Sequence, residues 1–94
     1  MIQSFKGDWA EAIHRQEAPG KGFLPNLVRI AQRKLAMLDA AVRLDNLRIP
    51  PGNRLEALSG DRRGQHSIRI NDQWRICFRW TDAGPEEFEI VDYH

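Results

Sequence analysis

Three stretches in the last third of the chain alternate apolar and polar residues: "QHSIRI" (residues 65–70), "WRICFRW" (74–80) and "EEFEIVDYH" (86–94). Period-two alternation marks a β-strand, because successive side chains point to opposite faces. Turn-forming residues separate the stretches, at Asn71-Asp72-Gln73 and at Ala83-Gly84-Pro85. A strand with one apolar face cannot slide, because a one-residue slip turns its whole apolar set to the other side. A two-residue turn at Asn71-Asp72 would set Ile68 opposite Arg75 and mix the faces. A loop of residues 71–73 instead sets Ile70 opposite Trp74, Ile68 opposite Ile76 and His66 opposite Phe78. The same reasoning at 83–85 sets Trp80 opposite Phe88 and Phe78 opposite Ile90. One face of this sheet then holds Ile68, Ile76, Phe78, Phe88 and Ile90, and needs a cover. The other face carries Arg69, Arg75 and Tyr93 in one row, with Arg79 and Gln65 further along.

The cover is legible upstream. In "LPNLVRIAQRKLAMLDAAVRL" (24–44), Leu24, Val28, Ala31, Leu35, Leu38 and Val42 recur at steps of three or four. That spacing makes one apolar stripe of a helix. Arg29, Arg33, Lys34 and Arg43 lie largely off it, and Pro50-Pro51 sets a limit the helix cannot pass. "GDWAEAIHR" reads as a shorter helix, with Asp8 and Glu11 spaced as a capping box. "MIQSF" reads as a first short strand, and the Gly- and Pro-containing loop of residues 15–24 is expected to be mobile. Residues 45–64 make a long connection of the kind that usually carries function or short elements of its own. Leu55 and Leu58 are expected to pin it to the core through a helical turn, and Gly60 and Gly64 to bracket a basic turn. The expected architecture is α+β in the order β-α-α-β-β-β, one domain over residues 1–94, with an antiparallel sheet packed on two helices on one face.

Composition narrows the functional classes. A single cysteine, Cys77, excludes an internal disulfide framework and a multi-cysteine metal site. No apolar run approaches the roughly 20 residues that span a bilayer, and the N-terminal "MIQSFKGDW" has no signal-peptide core. A cytoplasmic protein is expected. The formal net charge of +1 conceals an asymmetry: all 14 Lys and Arg, but only eight of the 13 acids, precede Asp82. Eleven of those 14 are Arg, whose planar fork suits phosphate, so an anionic partner is a reasonable expectation beside a merely solvated surface.

Two Arg on neighbouring strands repel unless something anionic or aromatic lies with them. A face carrying Arg69, Arg75 and Tyr93 therefore suits a phosphate backbone and a stacked base. Tyr93 is otherwise a strand-end aromatic, and Arg75 otherwise a partner for Glu87, Glu89 or Asp92. Alternation puts Asp92 and His94 on the face of Phe88 and Ile90, where an unpaired carboxylate is costly, so both are expected at a rim. An imidazole with a pKa of about 6.5 suits general acid or base work there. His66 is expected to be a packed, hydrogen-bonded histidine, and Cys77 structural. The three histidines have no metal-ligand spacing, and no phosphate-binding Gly loop is present.

"NRLEALSGDRRGQHSIRINDQWRICFRW" followed by "EIVDYH" resembles the HigB-type toxins of the RelE/ParE superfamily of bacterial toxin–antitoxin systems. The pairing of "GDRRG" and "WRICF" with "DYH" carries the resemblance. It implies a RelE-like fold and a metal-independent, cofactor-free endoribonuclease that cleaves mRNA in the ribosomal A site. It also implies neutralisation by a HigA-type helix-turn-helix antitoxin, through which the pair reaches operator DNA. Carried over, Asp92, Tyr93 and His94 match the catalytic group and Arg75 the arginine of the W-R-I motif. Some members carry a histidine where this chain has Glu56, which could serve as a base in its place. In such chemistry the RNA's own 2′-hydroxyl attacks the phosphorus after a base takes its proton. An acid protonates the leaving 5′-oxygen, and a cation steadies the phosphorane. His94 or Asp92 would transfer protons, Tyr93 would stack or orient the nucleotide, and Arg75, with Arg69, would hold the phosphate. Arg62, Arg63 and Arg79 would add RNA contacts. Relatives of the same fold that inhibit DNA gyrase, and a plain nucleic-acid-binding module, remain the alternatives.

Overall fold

The computed structural model describes residues 1–17 and 25–92. Two helices, α1 (Asp8–His14) and α2 (Pro25–Ala40), precede four strands, β1 (Glu56–Ala57), β2 (His66–Arg69), β3 (Trp74–Thr81) and β4 (Gly84–Asp92). The strands form one antiparallel sheet in the order β1-β2-β3-β4. This is the α+β arrangement that the alternation and the helical stripe imply, and the RelE-like one that the resemblance implies. Its edge strand is placed differently from expectation. "MIQSF" contributes a single parallel bridge, Phe5 to Phe88, while Glu56–Ala57 supplies the fourth strand. The N-terminal segment still lines the outer edge of β4: Gln3 N–H donates to the Pro85 carbonyl at 2.8 Å and Lys6 N–H to that of Phe88 at 2.7 Å.

The core is the apolar face of the sheet against the helices. Ile68, Ile76, Phe78 and Phe88 have no exposed surface, and Leu27, Ala31, Leu35 and Leu38 of α2 and Ala10 and Ile13 of α1 close over them. Phe78 and Phe88 stack with ring centroids 5.5 Å apart, and Trp9 meets Trp74 edge-on at 5.4 Å. Pairs of this geometry add to area burial. Leu27 rather than Val28 is the buried residue of the first α2 turn. Val42 is exposed, because α2 ends at Ala40 before the stripe reaches it. Leu24 and the greater part of the loop expected to be mobile lie outside the described residues. The capping box at Asp8 does not form: Gly7 caps α1, with no side-chain hydrogen bond, and Glu11 pairs instead with Arg15 at 2.9 Å. Leu47, in a 3-10 turn of residues 44–48, and Asn53 are fully buried in the long connection; Leu55 and Leu58 are half-buried.

The β2–β3 register is the expected one: His66 faces Phe78, Ile68 faces Ile76 and Arg69 faces Arg75. Asn71 makes the turn. Its Oδ1 accepts from the N–H of Gln73 at 2.9 Å and of Trp74 at 2.7 Å. The β3–β4 register differs. The hairpin closes on Thr81 opposite Gly84, so only Asp82 and Ala83 form the turn. A bulge then inserts one residue between the Arg79–Glu86 and Cys77–Glu89 pairs. Glu87 occupies it with φ 56°, a conformation costly for a side-chain-bearing residue. Two contacts hold it there: its N–H donates to Ser4 Oγ at 3.0 Å, and its carboxylate accepts from Arg79 Nε at 3.2 Å. Past the bulge Ile76 faces Ile90, two residues from the expected partner, Phe78. From Phe88 onward the net shift is even, so each side chain keeps its face with new cross-strand partners, whereas between the turn and the bulge Trp80 faces Pro85 and not the expected Phe88.

Candidate functional site

The second face of the sheet is polar but not open. Ser67 and Cys77 are fully buried and Arg75 is only 8% exposed. Arg54 and Arg62, on either side of β1, reach residues of this face, which the alternation alone leaves bare. Two rows cross it. Glu56, Ser67, Cys77 and Glu89 form one, and Arg69, Arg75 and Val91 form the next. Arg75 thus faces Val91 and not Tyr93: the tighter turn shifts the pairing by three residues, and the bulge at Glu87 restores one of them.

Each arginine of this face is held by a group that the sequence does not pair with it. Arg75 Nε donates to Ser67 Oγ at 2.8 Å, and its Nη2 donates to the Arg54 carbonyl at 2.7 Å. That carbonyl is turned inward by a left-handed backbone at Arg54, φ 48°. Arg69 is paired with Asp72 of the adjacent turn. Arg62 reaches across to Glu89 at 3.1 Å and to Gln65 at 3.2 Å. Arg79 pairs with Glu87 and lies against Gly64, where a Cβ would meet its guanidinium at 2.6 Å. Arg63 is exposed and has no carboxylate partner among the described residues. Burial pushes the Cys77 thiol above its ordinary pKa, with Arg62 and Arg75 opposing and Glu89 and Glu56 adding to the rise. A buried, protonated thiol is a structural residue, as expected.

Some of the predicted site residues come together. Arg54, Arg69, Asn71, Asp72 and Arg75 line one cleft of about 220 Å3. Asp92 faces Trp74 at the same end of β3, is exposed at the rim as its parity requires, and accepts from Gln73 Nε2 at 3.0 Å. One turn, residues 71–73, therefore touches both the arginine cleft and the end of β4. Glu56 lies elsewhere: it is exposed on edge strand β1, whereas Asp92 is on the opposite edge and the opposite face. Glu56 shares its face with Arg75, connected through Ser67. Arg62 and Arg79 sit further along that face, away from the cleft, and Arg63 is exposed just after the 3-10 turn of Gly60–Arg62. Tyr93 and His94 lie outside the described residues. His66 stacks on Phe78 as expected, with centroids 6.4 Å apart, but its buried Nδ1 has no hydrogen-bond partner among the described residues. No three His, Cys, Asp or Glu side chains gather to hold a metal ion among the described residues. Another cleft, of about 290 Å3 beside Lys6 and Trp9, holds none of the predicted residues.

Sequence reasoning missed Arg54 and Asp72. Nothing in "PGNR" announces a left-handed arginine, because that conformation usually goes to Gly, Asn or Asp. Ser67 was within reach of it, since parity alone sets this residue on the arginine face.

Comparisons with known proteins agree with this architecture. Residues 3–94 match the family model of the RelE-like toxin HigB of type II toxin–antitoxin systems. Toxin HigB-1 of Vibrio cholerae serotype O1 is 40% identical over 83 residues, covering 88% of this chain and 87% of that one. An uncharacterized protein of Haemophilus influenzae is 30% identical over 80 residues, covering 85% of this chain and 79% of its own. With a family model spanning nearly its whole length and a relative this similar, the chain belongs to the HigB toxins of type II toxin–antitoxin systems, a family in which each toxin has an antitoxin partner.

Proposed function

We propose that this HigB toxin is a ribosome-dependent endoribonuclease that cuts mRNA in the A site, acts in the cytoplasm and is neutralised by a HigA-type antitoxin. The observation that carries the reading is Arg75. It is a nearly buried guanidinium fixed by two hydrogen bonds, opens into a cation-lined cleft, and shares a turn with the strand that leads into Asp92. A cation that need not reorganise is what a developing phosphorane requires.

In this reading the substrate supplies the nucleophile. The 2′-hydroxyl loses its proton to a base and attacks the adjacent phosphorus, while the bond to the 5′-oxygen breaks and that oxygen takes a proton. Arg75 holds the non-bridging oxygens. Asp92 and His94 transfer protons, and Tyr93 orients the nucleotide. Glu56 reaches the reaction only from the Arg75 side, so its contribution is as a base for the 2′-hydroxyl rather than as a partner of Asp92. Arg62, Arg63 and Arg79 act as outlying contacts to RNA, and the first and last of these must release Glu89 and Glu87 to do so. The chemistry asks nothing of a metal or a cofactor.

Sequencing transcript 5′ ends after induction tests this. New ends inside codons are expected with the natural chain and are expected to vanish with Arg75→Ala. Intact transcripts accompanied by DNA damage would replace this reading with gyrase inhibition. Growth inhibition that survives deletion of Tyr93 and His94 would leave a binding module.

A further inference from the structure

The cleft at the β2–β3 turn holds more positive charge than the reaction itself uses. Arg69 and Arg75 are direct cross-strand partners, an arrangement in which like charges oppose each other at about 5 Å. Arg75 is committed in place by Ser67 and the Arg54 carbonyl and cannot swing outward. Arg69 and Arg54 are the outer pair. Arg54 is exposed, and its side chain has no carboxylate partner among the described residues, although its backbone is bent into the left-handed region. Arg69 is 29% exposed and is met by Asp72, whose side chain is 95% exposed. Three arginines and one aspartate thus line a volume of about 220 Å3. That is below the roughly 300–1,000 Å3 that enclose whole small molecules, so the space suits a group rather than a molecule. Paired guanidinium forks select a phosphodiester among such groups.

We propose that Arg54 and Arg69 form a second phosphate subsite, for the RNA phosphate next to the one at Arg75, and that Asp72 occupies it until RNA displaces the carboxylate. This deepens the reading of Arg75 as the contact to the scissile phosphate and rests on it. Arg75 is too constrained to share one anion with both outer arginines. A chain that presents phosphates at regular intervals fills the inner and outer positions together. Asp72 is suited to the role of placeholder because it is local, exposed and weakly held. An exposed ion pair of this kind resists displacement by a factor of only about 1.5 to 5. It also relieves the Arg69–Arg75 repulsion when no RNA is bound.

The test is equilibrium binding of a labelled single-stranded 2′-O-methyl oligoribonucleotide, which lacks the nucleophile and cannot be cleaved. The full chain is titrated by fluorescence anisotropy across a salt series. Arg54→Gln and Arg69→Gln are each expected to lower the slope of log affinity against log salt by about 0.7, the loss of one phosphate contact on a single strand. Arg54→Lys keeps the charge and is expected to keep the slope. Asp72→Asn is expected to bind about 1.5 to 5 times more tightly than the natural chain. A misfolded variant cannot produce that gain. An unchanged slope in either glutamine variant, or an Asp72→Asn affinity at or below that of the natural chain, overturns the subsite. Because the oligonucleotide cannot react, these arms report on the subsite even if transcript sequencing rejects the nuclease. Conversely, wild-type transcript cleavage with unchanged slopes removes the subsite alone.

Discussion

Strand β3 has two faces built by different means. Trp74, Ile76 and Phe78 look toward the helices and pack into the core there. Arg75, Cys77 and Arg79 look the other way, and each arginine among them is held by named atoms: a hydroxyl and a carbonyl for Arg75, a carboxylate for Arg79. The apolar face tolerates a change of partner. The tight turn and the bulge together put Ile90 opposite Ile76 instead of Phe78, and the core closed all the same. The polar face does not, since hydrogen bonds need one donor at one distance. The part of this molecule that defines the fold is forgiving in detail, and the part that would do chemistry is specific.

The sharpest way to break that contrast is to remove a large side chain from the packed face. Phe78→Ala should destabilise the protein by about 3–5 kcal/mol in urea unfolding, through lost transfer energy and an unfilled cavity. A loss under about 1 kcal/mol would mean the aromatic stack with Phe88 is not the keystone its burial suggests. On the polar face, Arg75→Ala should cost about 1–3 kcal/mol, because it strips donors from Ser67 and from a carbonyl. In the proposed function it should also lower transcript cleavage by at least about 100-fold. Arg75→Lys should recover part of the stability and little of the cleavage, since a point charge does not reproduce the fork.

Cys77 is the buried thiol of the polar face. Burial raises its folded pKa above the 9.0 of a free thiol, so the unfolded chain ionises first as pH rises. The contribution to stability is therefore intact below pH 9.0 and is lost as pH climbs through the higher folded value. Unfolding midpoints should fall above that pH, and Cys77→Ala should flatten the decline; a decline that persists unchanged would assign it to another group. The smallest effect belongs to the exposed pairs. Arg79→Gln should shift stability by less than about 1 kcal/mol, because its partnership with Glu87 is solvent-screened. A larger loss would show that Arg79 holds the strained Glu87 bulge in place.

Much of the fold was legible in the sequence. The β2–β3 register followed from Ile68, Ile70, Trp74 and Ile76, because only one loop length puts all of them on a single face. The β3–β4 register did not, because a two-residue turn followed by a bulge leaves the same faces buried as a three-residue loop without one. Burial fixed the parity and was blind to a shift of two. Val42 and the Asp8 capping box failed for a local reason: helix ends depend on cap geometry, and periodicity does not report it. At the candidate site, alternation identified Arg69 and Arg75 as neighbours and Asp92 as a rim residue. It could not show that Arg75 is buried.

Which residues face which way is written in the order of apolar and polar residues along the chain. Alternation and helical periodicity are properties of consecutive residues, and the need to bury one face turns them into an architecture. The partners of the arginines come instead from contacts between distant segments. Arg75 meets the Arg54 carbonyl across 21 residues and Arg62 meets Glu89 across 27. Contacts of that span depend on where a left-handed residue and a bulge send the backbone. Side-chain chemistry made those arginines available, and the path of the chain chose their partners.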